Sequence, residues 1–413
     1  MDRNTLFLDA VAAGIHGCTV PWDMPITPEL WNELFFLARE QNIFPLFYEA
    51  VSHSPAMTAL EEAQRASLRR AAIRDTARQT MRTAAFRPVY EKMTDAGFHP
   101  VIMKGLALRA LYPNPDQRPS SDEDILLPPE EFAPCCELLT ALGLRCITPE
   151  PDMEKVFELG FRSEDGLLYL ELHRSPFSPD TEAMRQCNDW FISSSDRAMD
   201  MTVEGFVFRT LNHEDQLLYL VLHAFKHFIH SGFGLRQVCD ILLWAERFGP
   251  ELDWPTLFRK WESVRCYRFA AALFRLGQQY LGFDDVTGGY ISAMETVGCD
   301  PEPILADLLD AGVFGGSTLS RKHSATITLS AVNAARSGQK QGLAKTLFPP
   351  QDSLTGTFPW LKSHPWLLPA AWSFRIFRYI REIAHRTDSS PTESLQLGRD
   401  RLALLRQYGI LDE

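Results

Sequence analysis

At Gly97-Phe98-His99-Pro100 the periodicity of the sequence changes, and this change constrains the fold more than any other feature. Up to that point the chain reads as helix. Apolar residues recur at three-and-four spacing, as at Leu30, Leu34, Phe35 and Leu37 behind Pro28-Glu29, and residues 56–93 are an alanine- and arginine-rich stretch that predicts one long helix or two consecutive ones. After it come apolar runs too short for helices: Val101–Met103, then Asp124–Leu127 closed by Pro128-Pro129. Val156–Arg162 and Leu167–Leu172 follow, on either side of Glu164-Asp165-Gly166, a hairpin signal. Helices are expected between these runs, over Gly105–Tyr112 before Pro113, and from Pro129 to Ala141 with Gly143 as its stop. From Asn212 the helical period returns, with Glu214 and Asp215 in the first turn and a stripe of Leu217, Leu220, Val221, Ala224 and Phe228.

The expected fold class is therefore α+β, a small mixed sheet embedded in a mostly helical chain. Its parts are a helical region over 1–95, an α+β core over 96–205, a helical domain over 206–335, and a loop with C-terminal helices over 336–413. In the last part, residues 337–358 read as a long loop, and helices are expected at 366–386 and 394–408.

Composition narrows the class of function. The chain has 413 residues, 45% of them hydrophobic and 23% charged, which excludes a disordered or low-complexity polymer. Its formal net charge of −12 makes it a poor non-specific binder of nucleic acid or anionic lipid, so no DNA partner is expected. The most apolar stretches, 217–229 and 366–380, carry Lys226, His227, Arg375 and Arg378, and no stable membrane insertion is expected. None of the eight cysteines forms a Cys-x-x-Cys pair, and the chain opens with no secretory pattern; reduced thiols in a cytoplasmic protein are the reading.

The chemistry concentrates in Met103-Lys104-Gly105, Arg118, and Asp122-Glu123-Asp124-Ile125-Leu126-Leu127. Aspartates at i and i+2 of a strand point to one face, where their repulsion is relieved by a divalent cation with hard oxygen ligands, Mg²⁺ (or Mn²⁺). Lys104-Gly105 stands where a strand turns into a helix, a place where backbone can approach a phosphate and free N–H groups can receive it. A third acid lies in Leu167–His173, whose alternation puts Glu171 and His173 on one face of an otherwise apolar strand; a buried carboxylate needs a partner, so Glu171 is assigned to the same site.

This order of parts resembles the nucleotidyltransferase superfamily of the polymerase-β type, and within it a family of uncharacterised bacterial nucleotidyltransferases. The matching pieces are Val101–Gly105, Leu111-Tyr112-Pro113, Arg118 with Asp122-x-Asp124, Leu170–His173, Leu222-His223-x-x-x-His227 and Leu235-Arg236-x-x-x-Asp240. The resemblance implies a Mg²⁺-dependent enzyme that moves a nucleoside monophosphate from an NTP to a hydroxyl acceptor (a small molecule, a protein or an RNA) and releases pyrophosphate. It implies Asp122, Asp124 and Glu171 as catalytic and metal-ligating residues. It implies Lys104, Gly105, Arg118 and Ser121 as nucleotide-binding residues, with Arg118 neutralising phosphate charge. Glu123 stands where the family usually has an apolar residue, so the start of that strand is expected to be partly solvated.

Secondary signals are read beside these. His173, His223, His227, Arg236 and Asp240 are candidates for lining the cleft. For His223, His227 and His230, one helical stripe, the competing reading is hydrogen-bonded structural histidines; for Arg236 and Asp240, four apart, it is a helix-surface ion pair or a brace of the cleft. Trp366–Arg386 reads as a packed helix with snorkelling arginines. Two rival functions remain: a catalytically degenerate module of the same fold that binds or regulates a partner, and a toxin-like enzyme that modifies tRNA or a protein.

Overall fold

Seven short strands pair into one sheet of order β3-β4-β5-β2-β1-β7-β6. They are β1 Val101–Ile102, β2 Glu123–Leu126, β3 Arg145–Cys146, β4 Glu158–Arg162, β5 Tyr169–His173, β6 Met199–Val203 and β7 Phe206–Thr210. The computed structural model describes residues 2–148, 152–153, 156–179, 182–230, 232–289, 299–311, 328, 332, 351–354, 358–374 and 391–412. The sheet is mixed: β1 runs antiparallel to β2 but parallel to β7, and β2 runs parallel to β5. An α+β fold with a small sheet in a mostly helical chain is thus what the sequence pattern predicts and what forms.

Among the described residues up to 311 the helices are α1 Arg3–Ile15, α2 Pro28–Glu40, α3 Phe44–Ser52, α4 Glu62–Asp95, α5 Leu106–Arg109, α6 Pro129–Ala141, α7 Glu182–Arg185, α8 His213–His230, α9 Leu235–Phe248, α10 Trp254–Ser263, α11 Tyr267–Tyr280 and α12 Glu302–Ala311. Between the one-helix and two-helix readings of residues 56–93 the structure selects a single helix of 34 residues after a 3₁₀ turn at Pro55–Ala59. The hairpin turn sits at Glu164–Gly166 as expected, with Gly166 at φ +69°.

Strand alternation decides which residues meet solvent chemistry. Ile125 of β2, Leu170 and Leu172 of β5 and Phe161 of β4 pack against Phe86, Tyr90 and Met93 of α4 and Phe132, Cys135 and Leu139 of α6. With a side-chain period of two, Asp124, Glu171 and His173 must point to the opposite face. The Tyr90 hydroxyl ties α4 to the sheet, donating to the Pro100 carbonyl at 3.2 Å and accepting from the Arg209 N–H at 2.8 Å.

The β6–β7 hairpin was not foreseen. Its turn, Glu204-Gly205, has both residues at positive φ, and the expected boundary between 205 and 206 falls at this turn. β7 joins the sheet beside β1, so the first residues of the expected helical domain belong to the sheet core.

The chain divides into two compact units, 1–224 with 234–313, and 225–233 with 314–413. Within the first, Gln41 joins distant helices: its Oε1 accepts the Leu235 N–H at 2.7 Å and its Nε2 donates to the Leu308 carbonyl at 2.9 Å. In the second, the helix Pro391–Gln407 buries Arg401, whose guanidinium donates to the Phe228 carbonyl, and Leu354, Leu361 and Ala371 form a small apolar cluster. Residues 375–390, most of the expected basic aromatic helix, and most of the expected 337–358 loop lie outside the described residues. No described helix is long and apolar enough to cross a membrane.

Candidate active site

β2 and β5, adjacent strands in the middle of the sheet, set Asp124 directly beside Glu171 in the parallel register. Asp122 precedes β2 by one residue and shares the face of Asp124. Lys104 follows β1, held there by the Met103 N–H, which donates to the Asp124 carbonyl at 2.9 Å. Its Nζ lies 3.1 Å from Asp124 Oδ2 and 3.4 Å from Asp122 Oδ2. His173 Nε2 is 3.2 Å from Asp124 Oδ1 and 3.9 Å from Glu171 Oε2. Asp124, Glu171 and His173 each offer a ligand atom within 4.8 Å of the others.

Charge balance at this cluster is incomplete. Burial works against ionising Asp124, whose side chain is 2% exposed, but the Lys104 ammonium and the His173 hydrogen bond outweigh it and hold the carboxyl well below the usual range. Glu171 gains no comparable help. Burial, then the Asp124 charge, pushes it up to about 7. Three carboxylates thus face one ammonium, which lies nearest the buried Asp124 Oδ2. A group of three carboxylates with a single ammonium among them is a donor set that suits Mg²⁺ or Mn²⁺. His173, hydrogen-bonded to Asp124, is placed to orient that carboxylate.

The Lys104-Gly105 turn differs from its expected role. Gly105 has φ +65°, and a methyl group there would lie 2.7 Å from Glu123 Cδ and closer still to its Oε2. The glycine is required by Glu123. That residue is buried, not solvated as its polarity suggested: facing the α4 side, it accepts the Leu106 N–H at 2.8 Å and Arg109 Nη2 at 2.8 Å. The first amide of α5 therefore receives an internal carboxylate, and only four residues of helix follow. The phosphate cradle expected from free N–H groups at this turn is correspondingly reduced.

Arg118 is likewise engaged. Its Nε and Nη2 grip Asp240 of α9 at 2.6 and 2.7 Å, its Nη1 donates to the Gly105 carbonyl at 3.3 Å, and the Tyr112 hydroxyl donates to Asp240 at 2.8 Å. All three side chains are buried. Arg236 donates to the Pro119 carbonyl at 2.6 Å, so Arg236 and Asp240 each bond the 118–119 segment in place of the surface ion pair that their spacing offered. Ser121 donates to Asp122 Oδ1 at 3.1 Å. Lys104, Arg118, His223, Arg236 and Asp240 do share one cavity, but its 30 Å³ is about the share of a single water. His223 Nε2 approaches Lys104 Nζ to 3.5 Å; His227 lies one turn further along α8, in the residues assigned to the second unit.

Four residues that the sequence reading passed over support the site. Gln216 donates to the Met103 carbonyl, and Ser120 Oγ to the Asp122 carbonyl at 2.8 Å, while Gln79 Oε1 accepts the Ser120 N–H at 2.9 Å. Tyr219 lies under the carboxylates: burial, then the Asp124 charge, raises its hydroxyl well above the ordinary range. Its position four residues before His223 on α8 was the available signal, since both lie on one helical stripe.

The family described as uncharacterised nucleotidyltransferase matches residues 27–282, well over half of the chain. No curated protein matches significantly. The chain belongs to that nucleotidyltransferase family.

Proposed function

From that membership we infer a Mg²⁺- or Mn²⁺-dependent transfer of a nucleoside monophosphate from an NTP to a hydroxyl acceptor, with release of pyrophosphate. The observation that carries the reading is the register of Asp124 beside Glu171 on adjacent strands, with Asp122 two residues upstream and only the Lys104 ammonium set among the three acids. Asp122, Asp124 and Glu171 would hold the ion, and His173 would fix the orientation of Asp124. When bound, a divalent ion neutralises phosphate charge and favours ionisation of the attacking hydroxyl.

The remaining steps belong to the chain. Lys104, now between the two aspartates, turns its ammonium to the phosphates and offsets their charge. The acceptor oxygen forms a bond to the α-phosphorus as the bond from that phosphorus to the bridging oxygen breaks. Glu171, with a side chain 20% exposed where that of Asp124 is 2%, stands on the open side and takes the hydroxyl proton. The pyrophosphate leaves with the electron pair of the broken bond. Positioning and charge neutralisation provide most of the acceleration in such a transfer. Eight free cysteines support a reducing cytoplasm as its setting.

The test is a pyrophosphate-release assay over the four common NTPs with Mg²⁺ or Mn²⁺, followed by mass detection of nucleotidylated products. Release is expected in the native chain and its loss in both Asp122→Asn and Asp124→Asn. Full activity in both variants, or no release from any NTP, would overturn the assignment.

A further inference from the structure

Within the first unit a second cavity, of about 250 Å³, lies between the start of α3 and the middle of α4. Its cations are Arg39, Arg78 and Arg82, against one carboxylate, Asp75. Asp75 is already shared, 3.0 Å from Arg74 and 3.9 Å from Arg39. Arg39 is stacked 3.8 Å over the Phe44 ring, which fixes the plane of its guanidinium.

Two buried donors behind this wall are left over. Gln79 is only 2% exposed; its Oε1 serves Ser120, and its Nε2 has no hydrogen-bond partner. Arg82 donates from Nη1 to the Ser120 carbonyl, and its buried Nε has none. Burial, then the like charge of Arg78, holds the Arg82 guanidinium below its ordinary pKa, against the opposing pull of Glu123 and Asp122. Guanidinium and amide N–H groups only donate, and the ionised oxygens of a phosphate accept.

We propose that this cavity is a subsite for a phosphate group, coupled to the catalytic carboxylates through residues 119–122. Pro119 lines it, Gln79 and Arg82 hold both backbone groups of Ser120, and the Ser120 hydroxyl holds the Asp122 carbonyl. Cavities for drug-sized ligands run to about 300–1,000 Å³, so this one suits a phosphate or pyrophosphate group and not an entire nucleoside triphosphate. The group is either the acceptor's phosphate or the tail of the nucleotide. Its role in transfer rests on the nucleotidyltransferase reading; its binding does not.

The full chain is titrated calorimetrically with inorganic phosphate and with pyrophosphate, without metal or nucleotide. Binding is expected in the native chain and should weaken about tenfold in Arg78→Gln, which removes one exposed charge-assisted donor, with a similar loss in Arg39→Gln. Native binding of neither anion, or unchanged affinity in both variants, overturns the proposal. A repeat with saturating ATP separates the sources: displaced pyrophosphate assigns the subsite to the nucleotide's tail, and retained pyrophosphate to the acceptor. Because the first titration contains no NTP, a chain inactive in transfer can still bind phosphate, and the two readings fail separately.

Discussion

Glu123 folds its carboxylate into the space that a side chain at Gly105 would need, and at φ +65° residue 105 is also in the region that glycine alone adopts readily. Gly105→Ala is therefore expected to destabilise the chain by more than the 1–2 kcal/mol or so of the backbone term, since the overlap with Glu123 adds to it. Urea denaturation checks this. A midpoint equal to that of the native chain would show that the turn is not under this constraint.

Arg118 and Asp240 are bidentate, buried and joined by Tyr112. Removing one member of such a pair leaves a charge without a partner, so Arg118→Ala and Asp240→Ala should each cost about 3–5 kcal/mol. Tyr112→Phe removes one hydrogen bond to a carboxylate and should cost about 1.5–3 kcal/mol. If Arg118 instead serves mainly a phosphate, Arg118→Lys will raise the dissociation constant for NTP and leave the urea midpoint where it was.

The carboxylate cluster predicts a pattern in ion binding. Measured by Mn²⁺ titration, Asp124→Asn and Glu171→Gln should abolish binding, while His173→Ala, acting through the orientation of Asp124, should weaken it about 10–100-fold. Far-ultraviolet circular dichroism should be unchanged in all three. Native affinity in Asp124→Asn would remove the metal site from this cluster.

Lys104 stands within 3.4 Å of two acids that would also hold an ion. With Lys104→Ala, the aspartates lose their internal counter-charge. The variant should bind Mn²⁺ at least as tightly as the native chain and yet turn over NTP more slowly. Weaker binding of Mn²⁺ by this variant would count against any competition between ammonium and ion.

Much of this site was legible because it follows strand arithmetic. Asp122-x-Asp124 before an apolar run and Glu171-x-His173 within another fix which residues share a face, and the parallel pairing of β2 with β5 then brings the two faces together. Three things were not legible. Glu123 looked solvated because the partner that buries it, Arg109, comes from α5 and could be matched only with the α5–β2 packing known. The pairing of Arg118 with Asp240 was hidden because the two lie more than a hundred residues apart. The β6–β7 hairpin escaped because Met199–Val203 alternates with polar residues at its exposed edge, a pattern shared with many loops.

The parallel pairing of β2 with β5 has a further consequence for how the chain matures. The two strands become neighbours only after β3 and β4 have run outward and the chain has returned to the centre, and such long-range closures come late in folding. A ribosome-bound or half-folded chain thus has its acids scattered along the polypeptide and no pocket in which to gather an ion. An ion held by these acids would reward the finished sheet alone, shifting the folding equilibrium by mass action toward it, so that the proposed site would arrive together with the completed architecture.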